Sequence, residues 1–168
     1  MSFFRSRACL SQAVAPVIQA LESRRMLSAN INDDGVLVVK GDHEDNVITC
    51  SLDANDDTKL VVTIDGESES FDLEDFDEIK IDGKKGDDLL EMDESEGDIL
   101  TDARMKGDKG HDTIHGASGD DRIDGGTGHD EIHGGDGDDR VRGKGGDDSV
   151  YGDDGDDRVR SLPAGVDG

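Results

Sequence analysis

An aliphatic residue returns at every ninth position, without a slip, through the last third of this chain: Ile114, Ile123, Ile132, Val141, Val150 and Val159. Each is preceded by the same six-residue turn, and the turns are 107–112, 116–121, 125–130, 134–139, 143–148 and 152–157. In all six, glycine fills the first and fourth positions and aspartate the sixth. A fixed internal period means an array whose units bury their faces only against neighbouring units. A solvated acidic tail would have no reason to keep an aliphatic residue in phase through six units. The pattern also has outliers upstream. Residues 83–90, Gly83-Lys-Lys-Gly86-Asp-Asp88-Leu-Leu90, fit it fully, and residues 41–48 fit with the fourth glycine and the final aspartate replaced by Glu44 and Asn46.

Composition says what such an array lacks. Gly is 23 of 168 residues, aromatics are 3%, there is no Trp, and the hydrophobic fraction is 32%. That is too little apolar surface for a conventional core to offset the entropy of ordering. The net charge of −25 makes matters worse, because densely packed carboxylates repel one another in a compact state. Multivalent cations are the natural partner, since a hard, oxygen-seeking ion turns that repulsion into cross-links. Nucleic acid is not expected as a partner: the sequence shows no basic stripe to release counterions from phosphate. Two cysteines, Cys9 and Cys50, give no readable disulfide framework. No stretch reaches the roughly 18 apolar residues of a membrane span.

Four segments follow. Residues 1–29 place basic Arg5 and Arg7 before a mildly apolar stretch in which Leu10, Val14, Val17 and Leu21 fall at helical spacing around Pro16. The expectation is a leader or sorting segment with a short helix. Within it, Leu21-Glu22-Ser23-Arg24-Arg25-Met26-Leu27-Ser28 resembles the LEPR-XLL motif of surface and secreted proteins in planctomycete-type bacteria, with Ser23 where that motif has Pro. Residues 30–104 read as β-structure: short β-branched runs such as 36–39, 47–52 and 60–64 alternate with Asp-, Asn- and Gly-rich turns. Asp65-Gly66 is a hairpin signal. These residues are expected to be a degenerate form of the repeat architecture that occupies 105–160. Residues 161–168 are a tail.

The chemistry of the repeat comes from its turn. Glycine at two positions lets the backbone bend sharply so that carbonyls point inward, while the sixth-position Asp turns its carboxylate into the same concavity. Two units make one flattened coil, so turns n and n+2 stack along one edge at roughly the 4.8 Å spacing of neighbouring strands. Carbonyls and carboxylates from two such turns can surround one ion with about six oxygens, a shell that suits calcium better than magnesium or zinc. The sequence resembles the hemolysin-type, or RTX, repeat G-G-x-G-x-D-x-U-x. That resemblance implies an all-β fold, a right-handed parallel β-roll or β-helix solenoid with calcium as its cofactor. Several units depart from the pattern at the second position, where Asp108, Ala117, Lys144 and Asp153 replace glycine.

Carried onto this sequence, the resemblance implies side-chain ligands at Asp112, Asp121, Asp130, Asp139, Asp148 and Asp157, with Asp88 in the isolated upstream unit. The first-position glycines Gly107, Gly116, Gly125, Gly134, Gly143 and Gly152 belong to the same sites. Stacking order puts Asp112, Asp130 and Asp148 on one edge and Asp121, Asp139 and Asp157 on the other, with about four sites built from both sides. The fifth-position acids Asp120, Asp138, Asp147 and Asp156 are expected to face solvent.

Other chemistry finds less support. His129-Asp-Glu131-Ile-His133 lacks the H-E-x-x-H order of a zinc peptidase. Asp53-Ala-Asn55-Asp-Asp57 begins like an EF-hand loop, but Thr58 stands where glycine is needed and Ile64 is no ligand. No nucleophile motif or phosphate loop is present, so no enzymatic role is expected. The expected function is calcium binding by a secreted or cell-surface structural or adhesive protein that folds on binding the ion. Its partners would be calcium, anionic surface polymers, or further copies joined through calcium. The alternative is an RTX-type export and folding module accompanying a ligand-binding activity in residues 30–104.

Overall fold

The computed structural model describes residues 28–161. The expected N-terminal helix and the motif-like segment up to Leu27 lie outside the described residues, as do residues 162–168. The described chain is all-β. Its strands are β1 (Ala29–Ile31), β2 (Val36–Lys40), β3 (Val47–Asp53), β4 (Asp56–Ile64), β5 (Glu67–Asp72), β6 (Glu78–Lys85) and β7 (Leu89–Asp93) in the first half. Then come β8 (Ala103–Lys109), β9 (Thr113–His115), β10 (Arg122–Thr127), β11 (Glu131–Asp136), β12 (Arg140–Gly145), β13 (Ser149–Asp154) and β14 (Arg158–Arg160).

These strands form two seven-stranded sheets, ordered β1-β2-β6-β8-β10-β12-β14 and β13-β11-β9-β7-β3-β4-β5. From β6 onward the chain crosses to the other sheet after every strand, and all the pairings are parallel. Ile123 therefore lies beside Val141, and Ile132 beside Val150. Two nonapeptides make one coil.

The sheets are mixed rather than parallel throughout, which corrects the expectation for residues 30–104. β1 runs antiparallel to β2, and β3, β4 and β5 form an antiparallel meander. The cause is local. Asp65 and Gly66, at φ +50° and +87°, close a tight hairpin that returns the chain within the same sheet, whereas a six-residue repeat turn carries it across to the other.

The interior also departs from expectation, because the first half has a substantial apolar core. There β2, β3, β6 and β7 each bury two inward hydrophobic residues, Leu37 and Val39, Ile48 and Cys50, Ile79 and Ile81, Leu90 and Met92, and β4 buries Leu60, Val62 and Ile64. In the repeats β9, β10, β11 and β12 each bury one aliphatic residue, Ile114, Ile123, Ile132 and Val141, while Val150 is half-buried and Val159 exposed. Register explains the difference. Leu37 pairs with Ile79, and Ile79 with Ala103, so these three hold the inward position that Asp121 takes one coil later. Along that edge the early coils are closed by hydrocarbon and the later ones by carboxylates.

Pairing has one more consequence. Every arginine among the described residues lies on the first sheet, in β8, β10, β12 or β14. The basic residues thus do gather into a stripe, contrary to the sequence expectation.

Candidate metal centre

Each sixth-position side chain is placed by the turn that precedes it and the coil that follows it. On one edge, Asp88 Oδ1 accepts the backbone N–H of Asn46 (2.8 Å), Asp112 Oδ1 that of Asp88 (3.0 Å), Asp130 Oδ1 that of Asp112 (3.0 Å) and Asp148 Oδ1 that of Asp130 (3.1 Å). On the other edge, Asp121 Oδ1 accepts from Ala103 (2.8 Å), Asp139 Oδ1 from Asp121 (2.8 Å) and Asp157 Oδ1 from Asp139 (3.0 Å). The isolated upstream unit and the worn turn 41–46 thus stack on the first edge.

One oxygen of each carboxylate is used in this ladder. The second is the informative one. Asp88, Asp112, Asp130, Asp139 and Asp148 each bury Oδ2 with no hydrogen-bond partner among the described residues. A buried carboxylate oxygen without a donor or cation is costly. At the same place the backbone comes close: a Cβ built on Gly107 would collide with Asp112 Oδ2 and the Gly125 carbonyl oxygen. On Gly125 it would collide with Asp130 Oδ2 and approach the Gly143 oxygen. Each cradle therefore brings together a carboxylate oxygen of one turn and a carbonyl oxygen of the next turn on that edge, around a volume that only glycine leaves open.

Electrostatics point the same way. Burial, reinforced by neighbouring carboxylates of the ladder, pushes the Asp112 and Asp121 carboxyls up to about 7 and those of Asp88 and Asp139 up to about 6, against an ordinary value of 3.8. Asp130 is raised as well, for the same first cause. The N–H bonds to Oδ1 oppose the rise without cancelling it. Ionising these groups is costly in the fold, and a positive charge at the site would offset that cost.

The donor set fits calcium. It consists only of oxygens, part backbone and part carboxylate. Among the described residues no three or more His, Cys, Asp or Glu side chains converge into a metal-ligating group, so backbone carbonyls would have to complete the shell of any ion held here. His115 and His133 stand on the outer face of the second sheet with ring centroids 5.2 Å apart, followed by Tyr151 stacked on His133 at 4.7 Å.

The second-position replacements divide into two kinds. Lys84, Asp108, Lys144 and Asp153 all adopt positive φ, between +68° and +79°, and keep the turn that glycine adopts at Gly126 and Gly135. Ala117 does not. Its N–H instead donates to Asp121 Oδ2 (3.0 Å), so in turn 116–121 both oxygens of the carboxylate are already occupied. Sequence could flag the substitution but not its outcome. The fifth-position acids are exposed as expected, yet they have a further part: Asp120 Oδ1 accepts the N–H of Asp138 (3.0 Å) and Asp138 Oδ1 that of Asp156 (3.1 Å). His111 and His129 continue this second ladder on the opposite edge. Their Nδ1 atoms accept the N–H groups of His129 (2.8 Å) and Asp147 (3.0 Å), and their rings stack at 5.0 Å.

Glu94 was missed by the periodic reading, because residues 94–102 form an irregular connection with no repeat signal. Its carboxylate accepts the N–H of Ile99 (2.6 Å) and both the N–H and the hydroxyl of Ser118 (3.1 Å each), tying that connection to turn 116–121.

No curated protein and no solved structure matches the chain. A family model does: the RTX calcium-binding nonapeptide repeat (4 copies) matches residues 102–132 and again residues 133–161. This is the segment in which the ladders and cradles recur and in which burial raises the carboxyls of Asp112, Asp121, Asp130 and Asp139. Residues 102–161 are RTX calcium-binding nonapeptide repeats, and their ion is Ca2+.

Proposed function

We propose that this chain is a secreted or cell-surface structural protein, without catalytic function, whose right-handed parallel β-roll becomes rigid on binding calcium. The observation that carries the reading is the file of buried, unpartnered Oδ2 atoms at Asp88, Asp112, Asp130, Asp139 and Asp148. On one edge the ions would be held by Asp88, Asp112, Asp130 and Asp148 with the carbonyls of Gly107, Gly125 and Gly143. On the other they would be held by Asp121, Asp139 and Asp157 with those of Gly116, Gly134 and Gly152. Calcium supplies positive charge and cross-linking there, the two things a chain of net charge −25 lacks. Counting one site for each carboxylate-to-turn step within the arrays gives about five ions.

Extracellular modules of this kind work at calcium concentrations of about 10⁻⁴–10⁻³ M, so the roll would form outside the cell and stay loose inside it. An adhesive role, bridging acidic surfaces through calcium, belongs to the same reading. Calorimetry and far-ultraviolet circular dichroism across a calcium titration test it. The expected result is a gain of β-signal with several ions bound, and an unchanged spectrum at several millimolar calcium would sink it.

The competing reading makes the repeats an export and folding device for an activity in residues 30–104. The pairing of β6 with β8 and of β7 with β9 speaks instead for one continuous solenoid. Calcium-dependent protection from proteolysis that stops short of residues 30–104 would favour the export reading.

A further inference from the structure

The outer face of the first sheet carries a straight column of cations. Strand register stacks Lys80, Arg104, Arg122, Arg140 and Arg158 directly on one another, in β6, β8, β10, β12 and β14. All five are exposed, and at strand spacing the column runs roughly 19 Å along the coil axis. A second column beside it holds Asp82, Lys106, Asp124, Arg142 and Arg160. The same two register positions on the second sheet hold Leu89, Thr113, Glu131 and Ser149, then Glu91, His115, His133 and Tyr151. The charge is confined to one face.

Like charges stacked on neighbouring strands repel, and the usual relief is a carboxylate beside each. With 43 acidic residues in the chain, carboxylates are plentiful. Yet Arg104 pairs with Glu78 (2.8 Å), Lys144 with Asp124 (2.8 Å), and Arg122, Arg140, Arg142, Arg158 and Arg160 have no carboxylate partner among the described residues. Between Lys80, Arg104, Lys106, Arg122 and Asp124 lies a shallow groove of about 220 Å³.

We propose that this face is a binding site for a linear acidic polysaccharide, one bearing sulfate or carboxylate groups along its length, lying along the arginine column. Guanidinium groups take sulfate and carboxylate in paired hydrogen bonds. Asp124 in the groove accepts hydrogen bonds from sugar hydroxyls, donors that a phosphate backbone or a lipid headgroup layer largely lacks. Shape narrows the choice further. On one side the column borders an acidic edge, where Asp77, Glu78, Asp102 and Asp120 line a hollow beside Arg104, Arg122 and Arg140, and that edge repels a broad polyanion such as duplex DNA or a membrane surface. No aromatic side chain stands in the column to stack the bases of a single strand. The contact is made by arginine directly and differs from bridging through calcium, although it rests on the calcium-folded roll.

The test uses the full chain in millimolar calcium, after circular dichroism has established that it is folded, so a failure to fold on calcium registers separately. Calorimetric titration with a heparin-derived octasaccharide is expected to show binding that weakens with salt. A neutral dextran oligosaccharide of similar length is expected not to bind. R104Q/R122Q/R140Q is expected to weaken octasaccharide binding about tenfold or more while its calcium stoichiometry stays unchanged. Should the triple variant misfold, R122Q alone is expected to weaken binding and flatten its salt dependence. The proposal is overturned if the folded chain does not bind the octasaccharide or if the arginine variants bind it equally well. It also fails if duplex DNA or phosphatidylserine vesicles bind as tightly, or if light scattering shows arginine-dependent self-association that the octasaccharide does not displace.

Discussion

Glycine at the fourth position is demanded by contact as well as by conformation at Gly110, Gly128, Gly137, Gly146 and Gly155, though not at Gly119. Gly128 sits at φ +141°, and a Cβ there would run into the carbonyl oxygen of Gly110 in the preceding coil. Gly128→Ala is therefore expected to cost at least about 2 kcal/mol and to lower the calcium-loaded melting temperature, because neither strain nor clash can relax without separating two coils. The second position is more forgiving, since Asp108 and Lys144 hold positive φ there. Ala117 is the exception, and its N–H fills the oxygen that the other turns leave open. Ala117→Gly should allow the glycine-type turn, free Asp121 Oδ2, and tighten calcium binding at one site severalfold. A calorimetric titration unchanged by this substitution would show that the Ala117 hydrogen bond does not compete with the ion.

At the scale of strands, the molecule changes its source of cohesion along its length. Strands β2, β3, β6 and β7 bury two apolar side chains each, while β10, β11 and β12 bury one aliphatic residue flanked inward by an aspartate and a glycine. A buried aliphatic side chain contributes about 1.5–3 kcal/mol, so halving their number per strand leaves the repeats short of what ordering costs. The last strand buries nothing, with Val159 41% exposed. Removing calcium is thus expected to release β9–β14 before β2–β7. Amide hydrogen exchange in excess chelator should show protection lost across residues 113–160 and retained longest at Leu37, Ile48, Ile79 and Leu90. Uniform loss across both halves would mean that the ions, and not the hydrocarbon, hold the first half too.

For the whole molecule the governing quantity is charge. In the metal-free fold, burial raises the carboxyls of Asp88, Asp112, Asp121 and Asp139 to about 6–7, so between the ordinary carboxylate value of 3.8 and pH 7 the folded chain holds more protons than the unfolded one. Stability from this source is fully present below that ordinary value and is lost as pH rises through 6 to 7. Ionisation of the other acids works in the same direction by adding to the net repulsion. Metal-free protein is accordingly expected to melt at a higher temperature at pH 5 than at pH 8, with saturating calcium reversing the order because the ion then takes the place of the protons. A metal-free melting temperature that climbs from pH 5 to pH 8 would contradict this account.

The nonapeptide period determined the most by itself. Six in-phase aliphatic residues, each behind a glycine–aspartate turn, are enough to specify stacked coils, an oxygen-lined edge and a hard cation, because each of these follows from local backbone bending repeated at a fixed interval. The eighteen-residue interval of Arg104, Arg122, Arg140 and Arg158 was equally present in the sequence. Its meaning depended on strand pairing, which turns an interval along the chain into a column across a sheet. Tertiary structure alone decided three things. It decided that Leu37, Ile79 and Ala103 occupy the inward position Asp121 takes later, that β3–β5 fold back on themselves, and that Ala117 closes its own turn while Asp108 does not. Each depends on which distant backbone lies alongside, and a linear pattern carries no record of that when the period is broken.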